Sequence, residues 1–224
     1  MKLPILPRTL LFGLIVTVSS ASVLSAACGG DCACSVTPEI AAIESGSLTL
    51  SPQTQALLIA QLADEGLAAS VYRELGDHFP LHPFQNIPRA EDTHAAALKT
   101  LLTSAGIDAS TDFASAEATT ERSQLIAQGS QSEIDALQVG ALIEERDITG
   151  LRKLATDIVE PEVVSVIQQL ETGSHHHLNA FVRNLRQRGV DYTPQVLSQT
   201  DFDAIIEEGS PGQGHGHAIN RQNG

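Results

Sequence analysis

Four stretches of this chain repeat one pattern, in which apolar residues return every three or four positions and polar or ionisable side chains break the row near its middle. The rows run Leu58, Leu62, Glu65, Ala69, Tyr72; then Phe84, Ile87, Glu91, His94, Leu98, Leu101, Ala105; then Ile134, Leu137, Ala141, Glu144, Ile148, Leu151; then Val163, Ile167, Leu170, Ser174, His177, Phe181. This is the period of a helix with one buried face, not the two-residue alternation of a half-buried strand. A chain with four such segments folds by packing helices on their apolar stripes, so the expected class is all-α. With six Phe, two Tyr and no Trp, the core falls to Leu, Ile, Val and Ala, which suits helices.

Local signals bound the segments. Ser51 and Pro52 read as an N-cap and a first helical position, Asn86 and Pro88 as the start of the second helix, and Gly106 as its stop. Ser130 and Glu133 have capping-box spacing before the third, and the fourth runs from Pro161 to Gly189. Between the second and third helices, residues 103–130 are rich in Ser, Thr and Ala, with at most a short helix in "ERSQLIAQG". That length carries the chain from one end of a bundle to the other, a long crossover. "DYTPQVLSQTDFDAIIEEG" reads as an ordered turn and a short C-terminal capping helix. His78 and His82 fall in a Pro-rich turn, as surface residues.

The ends differ in kind from this middle. Lys2 and Arg8 precede an apolar run at residues 10–18 and then small residues up to Cys28, the make-up of a secretory signal over residues 1–27. The run is short of the roughly 20 residues that span a bilayer, so export is expected over a retained anchor. "LSAAC" fits a lipidated Cys28, which would tie the protein to the cell envelope, and ordinary cleavage after Ala27, which would leave it periplasmic. Cys28, Cys32 and Cys34 all lie in a linker over 28–50, where they read as part of a tether and take no catalytic role. Residues 207–224 form a Gly- and His-containing tail without periodicity, expected to be disordered. That leaves one domain, 51–206. A formal net charge of -14 and the lack of a basic stripe exclude nucleic acid as a partner. The expected oligomeric state is monomer or dimer.

The interruptions carry the chemistry. Glu65, Glu91 with His94, Glu144, and Ser174 with His177 all fall on buried stripes, and burying an isolated carboxylate costs several kcal/mol unless it is paired, hydrogen-bonded or bound to a cation. Within "GSHHHLNAF", His177 is in phase with the stripe, while His175 and His176 turn about 200° and 100° away on a 3.6-residue helix. Glu91 and His94 stand three residues apart, about 4.5 Å along one helix face, and can serve one site. A pair of divalent ions would bring four positive charges to such a cavity. The chain order Glu, Glu-x-x-His, Glu, Ser-x-x-His follows the di-metal carboxylate bundles with one substitution. A metal-free polar network is the alternative. Tyr72, two turns past Glu65, reads chiefly as core packing.

"NIPRAEDTH", "GALIEERDI", "GSHHHLNAF" and "YTPQVLSQTDFDAI" resemble the signature stretches of the uncharacterised ferritin-like proteins of bacteria and archaea known as domain of unknown function 2202, over residues 51–206. The resemblance implies a ferritin-like four-helix bundle and a non-haem centre of two iron ions, with manganese or zinc as substitutes, but no settled activity. Glu65, Glu91, His94, Glu144 and His177 match the ligand positions of the wider ferritin-like scheme, whereas Ser174 stands where that scheme has Glu. Asp147, one turn after Glu144, can supply the missing carboxylate; Glu145 is the weaker substitute, being more in keeping with a solvated surface charge. Such a centre is suited to oxidising Fe(II) or to reducing O₂ or peroxide, with Glu91 or Asp147 bridging. A non-catalytic metal-binding or structural envelope protein is the second reading.

Overall fold

In the computed structural model, residues 48–109 and 116–209 are described, and among them the chain forms helices and no strand. The signal segment, the three cysteines and residues 210–224 of the His-containing tail lie outside the described residues, whereas Glu207 and Glu208, expected in that tail, belong to the last helix. The helices are α1 (Pro52–His78), α2 (His82–Ser104), α3 (Ala116–Gly129), α4 (Glu133–Asp157), α5 (Pro161–Gln187) and α6 (Gln199–Glu208). None is long and apolar enough to cross a membrane.

Helix ends follow local chemistry. The Ser51 hydroxyl accepts from the Thr54 amide at 3.0 Å with Pro52 next in the chain, as expected of that pair. Gly106 and Gly189, at φ of 78° and 75°, close α2 and α5: the Gly106 and Ile107 amides donate to Thr103 and Leu102, the paired bonds of a glycine-terminated helix. Two starts depart from expectation. α2 begins at His82, so Asn86 and Pro88 lie inside it rather than at its start; Pro83 takes the first-turn place, and Pro88 is accommodated within the helix. α4 is capped by Ser132, which accepts from the Asp135 amide at 3.1 Å, and not by Ser130, whose hydroxyl is buried outside the helix. His78 and His82 are exposed at the facing ends of α1 and α2.

Connections of three residues link α1 to α2 and α4 to α5, and each pair packs along its length, which makes each an antiparallel hairpin. The hairpins join through α1 against α4 and α2 against α5, giving a four-helix bundle. The segment between α2 and α4 contains a longer helix than its composition suggests: α3 spans 14 residues, lies against α1 and α4, and buries Leu125. Residues before α1 also engage the bundle, with Leu50 buried in the core.

The interior is not one apolar mass. One cluster gathers Tyr72, Leu75, Phe84, Ile87, Leu137 and Phe181, and a second gathers Leu58, Leu62, Leu98, Leu151, Ile167 and Leu170. Along α1, α2 and α5 the break between them falls where the sequence interrupts its stripe, and along α4 the first cluster continues past Glu144 to Ile148 before the second resumes at Leu151, so the polar residues form a layer across the middle of the bundle.

Candidate metal centre

Each of the four long helices delivers its interruption to this layer. Glu65 comes from α1, Glu91 and His94 from α2, Glu144 from α4, and His177 from α5, all between 1% and 2% exposed. His94 Nδ1 lies 3.0 Å from Glu91 Oε2 and 3.3 Å from Glu65 Oε2. His177 Nδ1 lies 2.9 Å from Glu91 Oε1 and 3.5 Å from Glu144 Oε2. The two imidazoles stack at 27° with centroids 5.4 Å apart. Glu91 therefore turns one oxygen to each histidine, and the five residues form the row Glu65, His94, Glu91, His177, Glu144.

Two sets of three donors result, Glu65, Glu91 and His94 on one side and Glu91, Glu144 and His177 on the other, each with its donor atoms within 4.8 Å of one another. Opposite ligands of one ion stand about 4 Å apart at metal to nitrogen or oxygen lengths near 2.0–2.2 Å, so each set nearly spans a coordination sphere. Carboxylate oxygen and imidazole nitrogen are the donors that iron, manganese and zinc accept. Glu91 Oε1 is buried and accepts no hydrogen bond despite its closeness to His177. A carboxylate oxygen left so is costly in a metal-free interior and natural in a ligand. The buried acidic and histidine groups of this layer can thus hold a metal.

Electrostatics point the same way. Burial pushes the Glu65 carboxyl up to about 7, with His94 opposing and Glu91 adding to the rise. Burial and the Glu91 charge push Glu144 up to about 7, opposed by His177. Burial would raise Glu91 too, but His177 and His94 outweigh it and hold that carboxyl below the usual range. For His94, burial alone would lower the imidazole, yet bonding to Glu65 and Glu91 raises it well above its ordinary value. Neighbouring carboxylates resist ionising together in a dry layer, and a cation relieves that conflict.

Asp147 enters neither set. It is partly buried beside them, accepting from Ser174 Oγ at 2.6 Å through Oδ2 and from Gln61 Nε2 at 2.6 Å through Oδ1, and burial with the Glu65 and Glu91 charges raises its carboxyl well above the ordinary value. Gln61 Nε2 also reaches Glu65 Oε1 at 2.9 Å. Ser174 is thus joined to a carboxylate already at the centre's edge. Tyr72 packs in the core as its phase indicates, but its hydroxyl also donates to Glu144 Oε1 at 2.5 Å. Gln61 was not legible as part of the site, although it stands one turn before Glu65.

Glu145 corrects its reading as a solvated surface charge. It is fully buried, accepting from the Tyr192 hydroxyl and from the Gln195, Val196 and Leu197 amides at 2.5–3.0 Å. It ties the loop before α6 to α4, which explains its burial without a metal.

The profile of a family described as an uncharacterized protein domain, DUF2202, matches residues 54–209. Among curated proteins, the uncharacterized protein MJ0754 of Methanocaldococcus jannaschii is 35% identical over 163 residues, covering 70% of this chain and 88% of its own length. A crystal structure titled as hypothetical protein MJ0754 from Methanococcus jannaschii superposes with a TM-score of 0.68 at 34% identity, covering 71% of this chain and 95% of that one.

Proposed function

The chain belongs to the DUF2202 family, and on that premise we propose that its polar layer is a resident centre for two transition-metal ions in a ferritin-like bundle, with iron as the favoured metal. The observation that carries this reading is the pair of three-donor sets sharing Glu91. Glu91, common to both sets, would hold both ions, His94 with Glu65 would hold one, and His177 with Glu144 would hold the other. Charge supports two ions: Glu65, Glu91, Glu144 and Asp147 carry −4 when ionised, which two divalent ions balance. Bound iron would supply one-electron chemistry, suited to oxidation of Fe(II) or reduction of O₂ or peroxide.

The chain's own residues do the positioning. Tyr72 fixes the Glu144 carboxylate, Gln61 fixes Glu65, and the apolar clusters cover the layer at both ends of the bundle. Proton release accompanies loading, because Glu65 and Glu144 must ionise to bind. Export is part of the proposal and rests on the basic, apolar and small-residue order of residues 1–28, with Cys28 as the lipid-bearing residue if the protein is anchored.

Elemental analysis of the metal-loaded full chain tests the reading. Two ions per chain are expected in the wild type, loss of both in Glu91→Ala, and loss of one in His177→Ala, with an iron absorption in air that Glu91→Ala abolishes. Equal metal content in wild type and Glu91→Ala refutes it. A metal-free structural layer has one observation in its favour, the hydrogen bonds that Gln61, Tyr72 and Ser174 already give to three of the carboxylates. It requires that chelation leave the melting temperature unchanged.

A further inference from the structure

The proposed ligands are almost wholly enclosed, so an ion needs a way in. A cavity opens beside α1, α3 and α4, with Asp64, Glu121 and Arg146 on its rim and Gln61, Asp147, Glu91 and Glu144 further in. We propose that this cavity is the loading path for hydrated divalent cations, entered at Asp64 and Glu121 and ending at Glu91 and Glu144. The inference rests on the metal-binding reading and adds the route and its direction.

Three observations carry it. Carboxylates mark the way in order of decreasing exposure: Asp64 and Glu121 exposed, Asp147 partly buried, Glu91 and Glu144 each at 2%. An incoming cation can exchange its water for protein oxygen in steps. Charge selects the sign: five carboxylates face one guanidinium, Arg146, which is itself engaged by Glu121 at 2.9 Å. A cleft of one sign with low-dielectric walls concentrates counter-ions and raises their on-rate by about 10–10³. Finally, Glu91, which lines the cavity and is 98% buried, is the residue whose Oε1 has no hydrogen bond. Neither histidine lines the cavity, so a cation arrives first at the Glu91 and Glu144 end.

The test follows Co²⁺ uptake by the full-length protein in a stopped-flow spectrometer at low salt, with final stoichiometry from elemental analysis. Asp64→Asn with Glu121→Gln is expected to slow uptake about tenfold while leaving final occupancy and melting temperature unchanged. Glu207→Gln with Glu208→Gln removes the same charge from exposed positions on α6 and is expected to leave the rate as it was. Gly150→Leu narrows the cavity without altering charge; a Cβ there meets Gln61 Oε1 at an ordinary 3.8 Å, and slower uptake is expected again. Wild-type rates in both cavity variants overturn the path, as does equal slowing in the α6 control. A wild-type protein that takes up no Co²⁺ overturns the metal reading itself, and the path with it.

Discussion

Gly173 shows how much of the centre depends on a missing atom. A Cβ at that position would lie 2.6 Å from His94 Nε2 and 2.8 Å from Cε1, so α5 leaves room for the ring that turns Nδ1 toward Glu65 and Glu91. Gly173→Ala is expected to displace the His94 ring, lower stability by about 1–3 kcal/mol and weaken metal uptake, as measured by thermal melts and titration. Gly66, also within a helix, has nothing within 4 Å of its would-be Cβ, and Gly66→Ala is expected to raise stability by roughly 0.5–1 kcal/mol with uptake unchanged. Similar behaviour of the two would contradict this account of Gly173. The sequence cannot distinguish these glycines, because the difference lies in a side chain brought by another helix. It does show the phases of Glu65, Glu91, His94, Glu144 and His177, since periodicity alone says which face a residue shares. The Tyr72 bond to Glu144 and the Gln61 link between Glu65 and Asp147 depend on interhelical spacing and stay hidden.

Elements are held by contacts that no single helix encodes. Glu145 stands about 100° around α4 from Glu144 and so reads as facing away from the centre; what buries it is the segment from Tyr192 to Leu197, whose amides converge on its carboxylate. Glu145→Ala would leave the buried donors of that segment, the Leu197 amide and the Tyr192 hydroxyl, unanswered at about 1–3 kcal/mol each. Hydrogen exchange is therefore expected to accelerate at residues 195–197 and through α6, while protection in the middle of α1 and α2 persists. Uniform acceleration across all helices would contradict so local a role. The boundaries misread from sequence share a cause. Pro88 resembles a helix start, but Pro83 already occupies the first turn; Ser130 has capping-box spacing, yet Ser132 sits where the helix begins. α3 looks weak by composition and gains its support by packing against α1 and α4.

Across the whole molecule, a charged layer divides two apolar cores, and under the proposed function protons and metal would compete for it. Glu65 and Glu144, ordinarily near 4.5, stand at about 7 in the fold, so between those values the folded state holds more protons than the unfolded one. Metal-free protein is therefore expected to lose stability as pH rises through that window; the raised His94 acts in the same sense at its upper end, and the lowered Glu91 has no opposing slope there. Metal-loaded protein should reverse the slope, because ionised carboxylates bind the ions, and melts from pH 5 to 8 with and without metal check this. The bundle itself was largely legible, for four interrupted stripes in helical phase leave few other arrangements, and packing had only to bring their middles to one level. Anomalous diffraction from crystals of the full chain soaked with Fe(II) without oxygen, or with Mn(II), addresses the central claim most directly. Two peaks are predicted on opposite sides of Glu91, one beside Glu65 and His94 and the other beside Glu144 and His177; a well-ordered layer with no peak next to Glu91 would contradict it.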